Sequence, residues 1–113
     1  MLVDMLELDG FDVVGQAASG DEAVGMCEEC DPDVIVMDYK MPGMDGLSSA
    51  RAIRGQRPSQ AIILYTAYLD DGLEALAKDA GVAVCVGKVE GLNQLERHIT
   101  ELVRDFGRTG DLT

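Results

Sequence analysis

The sequence predicts an α/β domain in which helices cover both faces of a doubly wound parallel sheet. Two observations carry that expectation. Short β-branched runs alternate with helix-periodic segments along the chain, the order from which parallel sheets are built. The runs are also mostly apolar throughout rather than at every second residue, as strands buried on both faces are. At 113 residues the chain fits one domain, and 47% apolar content suffices for one core.

Each element has its own signal. Residues 1–8 read as the tail of a helix with Leu2, Met5 and Leu6 on one face, ended by Asp9-Gly10. Residues 11–17 read as the first strand. Ser19-Gly20-Asp21-Glu22 is a capping-box signature, and the helix it opens carries Ala23, Val24, Cys27 and Cys30 on one face until Pro32 stops it. Residues 33–38 are the second strand. A helix begins near Gly46, shows Leu47, Ala50 and Ile53 on one side, and ends before Pro58. Residues 61–66 are the third strand. A helix over 71–80 turns Leu73, Leu76 and Ala77 inward and stops at Gly81. Residues 82–86 are the fourth strand. The last helix has the clearest period, in Leu92, Leu95, Ile99, Leu102, Val103 and Phe106. The domain therefore spans 1–106, and 107–113 is a polar tail or linker.

Composition narrows the partners. A formal net charge of −12 argues against direct contact with nucleic acid or anionic membrane. No apolar run approaches the ~20 residues of a membrane span, and no secretory pattern opens the chain, so the cytoplasm is the expected location. Cys27, Cys30 and Cys85 do not make a disulfide framework. Cys27-Glu28-Glu29-Cys30 matches a redox spacing but falls at a helix C-terminus beside two glutamates, where a thiolate is not stabilised. Packing is the better reading of Cys27, and solvation of His98 and of the basic edge Arg51, Arg54 and Arg57.

In doubly wound sheets the functional crevice lies at the carboxyl ends of the strands. Asp38 ends the run Val34-Ile35-Val36-Met37, Thr66 ends Ile62-Ile63-Leu64-Tyr65, and Lys88 follows Val84-Cys85-Val86-Gly87. A carboxylate, a hydroxyl and an ammonium at one sheet edge make a phosphate-handling set. The carboxylate is the nucleophile, the hydroxyl hydrogen-bonds a phosphoryl oxygen, and the ammonium neutralises the incoming charge.

These residues resemble the receiver domain of bacterial two-component response regulators. The carrying strings are Asp33-Val34-Ile35-Val36-Met37-Asp38, Met41-Pro42-Gly43-Met44-Asp45-Gly46, Thr66-Ala67, Ala80-Gly81 and Lys88. The resemblance implies a flavodoxin-like fold and an Asp38 that accepts a phosphoryl group from a sensor histidine kinase. It implies Mg²⁺ as cofactor, with Asp38 and the backbone carbonyl of Lys40 among its ligands. Thr66 would move toward the phosphate and Lys88 would pair with it. The chain would act as a phosphoacceptor with at most self-phosphorylation and self-dephosphorylation activity, not as a turnover enzyme. The tail Gly110-Asp111-Leu112-Thr113 resembles the approach to the helix-turn-helix output domain of LuxR-class regulators, which makes a DNA-binding domain of a parent protein the expected partner and transcription the expected output.

Three departures qualify the resemblance. The family begins with a central strand whose end carries an acidic pair for Mg²⁺, and here the chain starts inside the first helix, so only four strands are recognisable. Ladder bonds are worth roughly 1 kcal/mol each, and a domain has only about 5–15 kcal/mol to lose. An empty central slot therefore implies a late-started gene, a rearranged sheet, or completion by another chain, as in a homodimer. Cys85 stands where relatives place an aromatic that rotates on phosphorylation, with Tyr68 the nearest candidate substitute. Val89 follows Lys88 where many relatives have proline. These departures leave a second expectation, a phosphorylation-independent protein-interaction or dimerisation module. An aspartate-nucleophile phosphatase ranks low, because Lys40 stands where a second Asp is needed.

Overall fold

The buried runs form a three-stranded sheet of β1 (Val34–Met37), β2 (Ala61–Thr66) and β3 (Val84–Gly87), in that spatial order. Both pairings are parallel, with Val34 opposite Ala61 and Ile63 opposite Val84. The structure, a computed structural model, describes residues 2–40, 45–67 and 69–106. The expected loop residues Met41–Met44, Tyr68, the side chain of Phe106 and the tail 107–113 lie outside the described residues.

Alternation splits the strand side chains between two cores. Ile62, Leu64 and Met37 join Cys27 of α2 (Gly20–Cys30), Leu47, Ala50 and Ile53 of α3 (Gly46–Gln56), and Leu73 and Ala77 of α4 (Asp71–Asp79). Ala61, Ile63 and Val86 join Leu6 of α1 (Leu2–Leu8) and Leu95, Ile99 and Leu102 of α5 (Leu92–Phe106). Helices thus cover both faces, which is the α/β architecture the sequence predicts.

The helices start and stop where local chemistry dictates. Ser19 caps α2 by accepting the Glu22 N–H at 3.2 Å, while Glu22 accepts the Ala18 N–H at 2.6 Å. After α1 and α4 the chain turns through Gly10 (φ 95°) and Gly81 (φ 97°). The amides of Phe11 and Val82 then reach back to the carbonyls of Leu6 and Ala77, both at 3.0 Å, and close the exposed helix ends. The arginine edge of α3 is partly structural. Arg57 donates to Gln60 at 3.0 Å and pairs with Asp31, and Arg54 donates to the Gln60 carbonyl at 3.2 Å.

Four expectations need correction. Residues 11–17 do not form a strand. Their apolar pattern is used, since Phe11 and Val13 pack against the α1–α5 core. Among the described residues, however, no backbone–backbone hydrogen bond involves 12–17, and no strand pairs with the outer edge of β1. A strand exists only where a neighbouring edge completes its ladder, and residues 11–17 have none among the described residues. Leu76 faces outward at 53% exposure, because the period of α4 buries Leu73, Ala77 and Ala80 instead. Met5 is likewise 50% exposed, leaving Leu6 as the anchor of α1. His98, expected in solvent, is half-buried, with its Nδ1 3.7 Å from a Glu101 oxygen.

Candidate functional site

All three strands run the same way, so their carboxyl ends share one edge. Asp38 follows Met37 at the end of β1, Thr66 ends β2, and Lys88 follows Gly87 at the end of β3. Lys88 Nζ lies 2.8 Å from Asp38 Oδ2, a charge-assisted hydrogen bond between residues 50 positions apart in sequence. Thr66 is fully buried opposite Gly87 in the ladder. Lys40, two residues beyond Asp38, points its N–H at Asp38 Oδ1 from 3.4 Å.

The Asp38–Lys88 pair is solvent-exposed, at 37% and 44% of the two side chains. Exposed pairs contribute about 0–1 kcal/mol. The pair is therefore a poor stabilising device. What it achieves is to hold a carboxylate and an ammonium together where a solute can reach them.

The loop behind Asp38 closes on it through two residues whose roles the sequence analysis missed. Asp45 caps α3, accepting the Ser48 N–H at 2.8 Å, while its own carbonyl accepts the Ser49 hydroxyl at 2.8 Å. Gly46 donates its N–H to the Tyr39 carbonyl at 2.8 Å. A Cβ at position 46 would collide with the backbone oxygen of Asp38 and lie 2.9 Å from the Tyr39 Cα. The Asp-Gly pair thus starts α3 while letting its first turn press against the phosphoacceptor candidate. The capping signal of Asp45, three residues before Ser48, was visible in sequence; the contact of Gly46 was not. On the far side, Glu90 Oε2 accepts the Gly87 N–H at 2.7 Å and holds the short 3₁₀ turn Lys88–Glu90 against the end of β3.

Mg²⁺ takes hard oxygen ligands in octahedral geometry. Asp38 and the Lys40 carbonyl are the donors the sequence analysis assigns, and one Asp38 oxygen already faces Lys88. Among the described residues no group of three or more His, Cys, Asp or Glu could hold a metal ion. The donors among the described residues do not make a self-sufficient Mg²⁺ site.

The cysteines are spread apart. Cys27 is buried and donates its thiol to the Ala23 carbonyl at 3.1 Å, as the packing reading expects. Burial pushes its thiol above the ordinary range, with Arg57 pulling the other way. Cys85 is half-buried on the α4 side, and burial followed by the Glu74 charge raises its thiol as well.

The fold and edge define a class, the α/β signalling domains with an acidic strand end. The comparisons name the family. The model of the response regulator receiver domain matches residues 1–100, and the chain belongs to that family. The transcriptional regulatory protein PdtaR of Mycobacterium tuberculosis is 36% identical over 94 residues, which is 83% of this chain and 45% of that protein. A protein-glutamate methylesterase/protein-glutamine glutaminase of Alkalilimnicola ehrlichii is 36% identical over 107 residues, covering 89% of this chain and 27% of that one. The crystal structure of a LuxR-family two-component response regulator from Aurantimonas sp. superposes with a TM-score of 0.84 at 27% identity, covering 91% of this chain and 76% of that chain. The chain spans less than half the length of these two curated relatives. Among the described residues no helix is long and apolar enough to cross a membrane. Receiver domains of this family typically bind Mg²⁺.

Proposed function

We propose that this domain is the phosphoacceptor of a two-component relay, with Asp38 taking a phosphoryl group from a sensor histidine kinase. The observation that carries the reading is the exposed Asp38–Lys88 hydrogen bond at the carboxyl edge of the sheet. An Asp38 oxygen attacks phosphorus, the bond from phosphorus to the kinase imidazole breaks, and the imidazole nitrogen leaves with the electron pair. The product is an acyl phosphate on Asp38. The Lys88 ammonium offsets the charge that accumulates on the phosphoryl oxygens. Thr66, at the adjoining strand end, supplies a hydroxyl for one of those oxygens. Because Lys88 already pairs with Asp38, phosphorylation moves its partner by a bond or two and leaves it in place.

The output is the control of transcription, through a DNA-binding domain of a parent protein. PdtaR and the LuxR-family structure support this reading, while the methylesterase relative shows that enzymes also carry such receivers. The domain acts in the cytoplasm as a phosphoacceptor rather than a turnover enzyme. A second reading is a phosphorylation-independent interaction module that dimerises through the edge of β1 left unpaired among the described residues. It is favoured by the short metal donor set and by Cys85, which has no ring to rotate.

Incubation with acetyl phosphate and Mg²⁺, with Asp38→Asn as control, separates the two. The phosphoacceptor reading expects an acid-stable, base-labile label lost in the variant. If a version extended by an upstream strand with its acidic pair labels and the 113-residue chain does not, the defect lies in metal binding. Labelling of neither supports the interaction module.

A further inference from the structure

Alternation continued one residue past β1 and β3 places Asp38 and Lys88 on the sheet face that Tyr65 of β2 already occupies. Val34 and Val36 face the α1–α5 core, and so the next even position, Asp38, falls on that face. Ile63 and Tyr65 face the same core from β2, and Val84 and Val86 from β3, which puts Lys88 there too. Tyr65 stands opposite Val86, so Lys88 is its diagonal neighbour, within reach of an aromatic or long side chain. Met37 stands opposite Leu64, so continued register sets Asp38 opposite Tyr65.

The strand order makes this placement consequential. β2 lies between β1 and β3, and neighbouring strands are about 4.8 Å apart, so Lys88 must reach across two spacings to meet Asp38. The side chain beneath that crossing is Tyr65. Lys88 Nζ lies 5.7 Å from the Tyr65 ring centroid while it is 2.8 Å from Asp38 Oδ2. A ring at that distance attracts an ammonium through its quadrupole. An exposed lysine left alone spreads over many rotamers, and ordering it is what makes surface ion pairs weak.

We propose that Tyr65 is a positioning residue of the Asp38 site, its ring the platform across which Lys88 reaches the phosphoacceptor. The role rests on the phosphoacceptor reading for its consequence but not for its geometry. The ring, not the hydroxyl, does the positioning, so phenylalanine serves equally and an aliphatic side chain of similar bulk does not. Tyr65 acts through Lys88 and does not touch the phosphoryl group. A merely structural Tyr65, filling the α5-side core, is the rival account.

Three measurements on the 113-residue chain separate them. Without Mg²⁺, NMR should show the Lys88 ε-methylene protons shifted upfield by the ring, with nuclear Overhauser contacts to Tyr65 in the unmutated protein. Tyr65→Phe should retain the shift, and Tyr65→Leu should lose it. With acetyl phosphate and Mg²⁺, Tyr65→Phe should label Asp38 at the unmutated rate, and Tyr65→Leu about two- to five-fold more slowly. The proposal is overturned if the unmutated protein lacks the contacts, if folded Tyr65→Leu keeps the Lys88 shift, or if both variants slow labelling alike. Should neither the unmutated chain nor its upstream-extended version label, the phosphoacceptor reading fails, and the Lys88 shift still decides whether Tyr65 positions the lysine.

Discussion

Ile62-Ile63-Leu64 in β2 and Phe11 to Val14 before α2 are drawn from similar residue types, yet only the first run is a strand. Ile62, Ile63 and Leu64 are fully buried, with a parallel ladder on each side. Phe11 and Val13 are half-buried on one face, Val14 is 49% exposed, and no ladder forms. Apolar β-branched residues occur in both, with Asp12 interrupting the second; a neighbouring edge belongs only to the first. Strand propensity is a fit to a pleated, packed surface rather than a property of the chain alone.

Hydrogen exchange should show the largest contrast between the two regions. The amides of β2 should open only with global unfolding, and those of 12–17 at near zero cost, so their protection should differ by several orders of magnitude. Equal protection would mean that 11–17 is paired in solution. Truncation is the next test. Ile63→Ala or Leu64→Ala should cost about 2–5 kcal/mol by denaturant unfolding, and Val14→Ala about 0.5 kcal/mol or less, as surface changes do. A Val14 variant as costly as Ile63→Ala would break the comparison.

A smaller effect is expected at the join between α3 and the acidic strand end. Gly46→Ala drives a methyl into backbone beside Asp38, which should cost about 1–3 kcal/mol. It should also slow phosphorylation of Asp38, whereas a purely structural defect would leave folded protein labelling normally.

The smallest effect concerns how the turn after α1 sits against α5. Asp9 and Glu96 line a shallow cavity with Arg97, Glu101 and Arg104. A hydrogen bond with Asp9 raises the Glu96 carboxyl above its ordinary 4.5, with burial and repulsion from Asp9 adding to it. Folding therefore favours protonated Glu96. That contribution is complete below pH 4.5 and is lost as pH rises through the raised value. Glu96→Gln cannot ionise, so its unfolding free energy should fall less across that window in pH-dependent denaturation.

Much of the fold was legible because burial on both faces leaves an uninterrupted apolar run, as at 61–64. The caps at Ser19 and Gly81 were legible because they depend on residues a few positions away. The sites of failure depend on distant partners. Residues 11–17 looked like a strand because periodicity does not report an absent edge. Leu76 and Met5 looked buried because a short helix offers several faces of similar hydropathy. At the strand ends, Asp38 and Lys88 stood out as charges after apolar runs, and they do meet. Tyr65 did not stand out, because its place between them follows from strand order and register, which no local pattern carries.

The central claim concerns one carboxylate, and it is tested most directly by position. The chain is incubated with acetyl phosphate and Mg²⁺, reduced with borohydride, which converts an aspartyl phosphate to homoserine, and read by peptide mass spectrometry. The account expects homoserine at position 38 alone. Homoserine at another aspartate, or at none in both this chain and its upstream-extended version while a receiver known to phosphorylate converts under the same conditions, would contradict it.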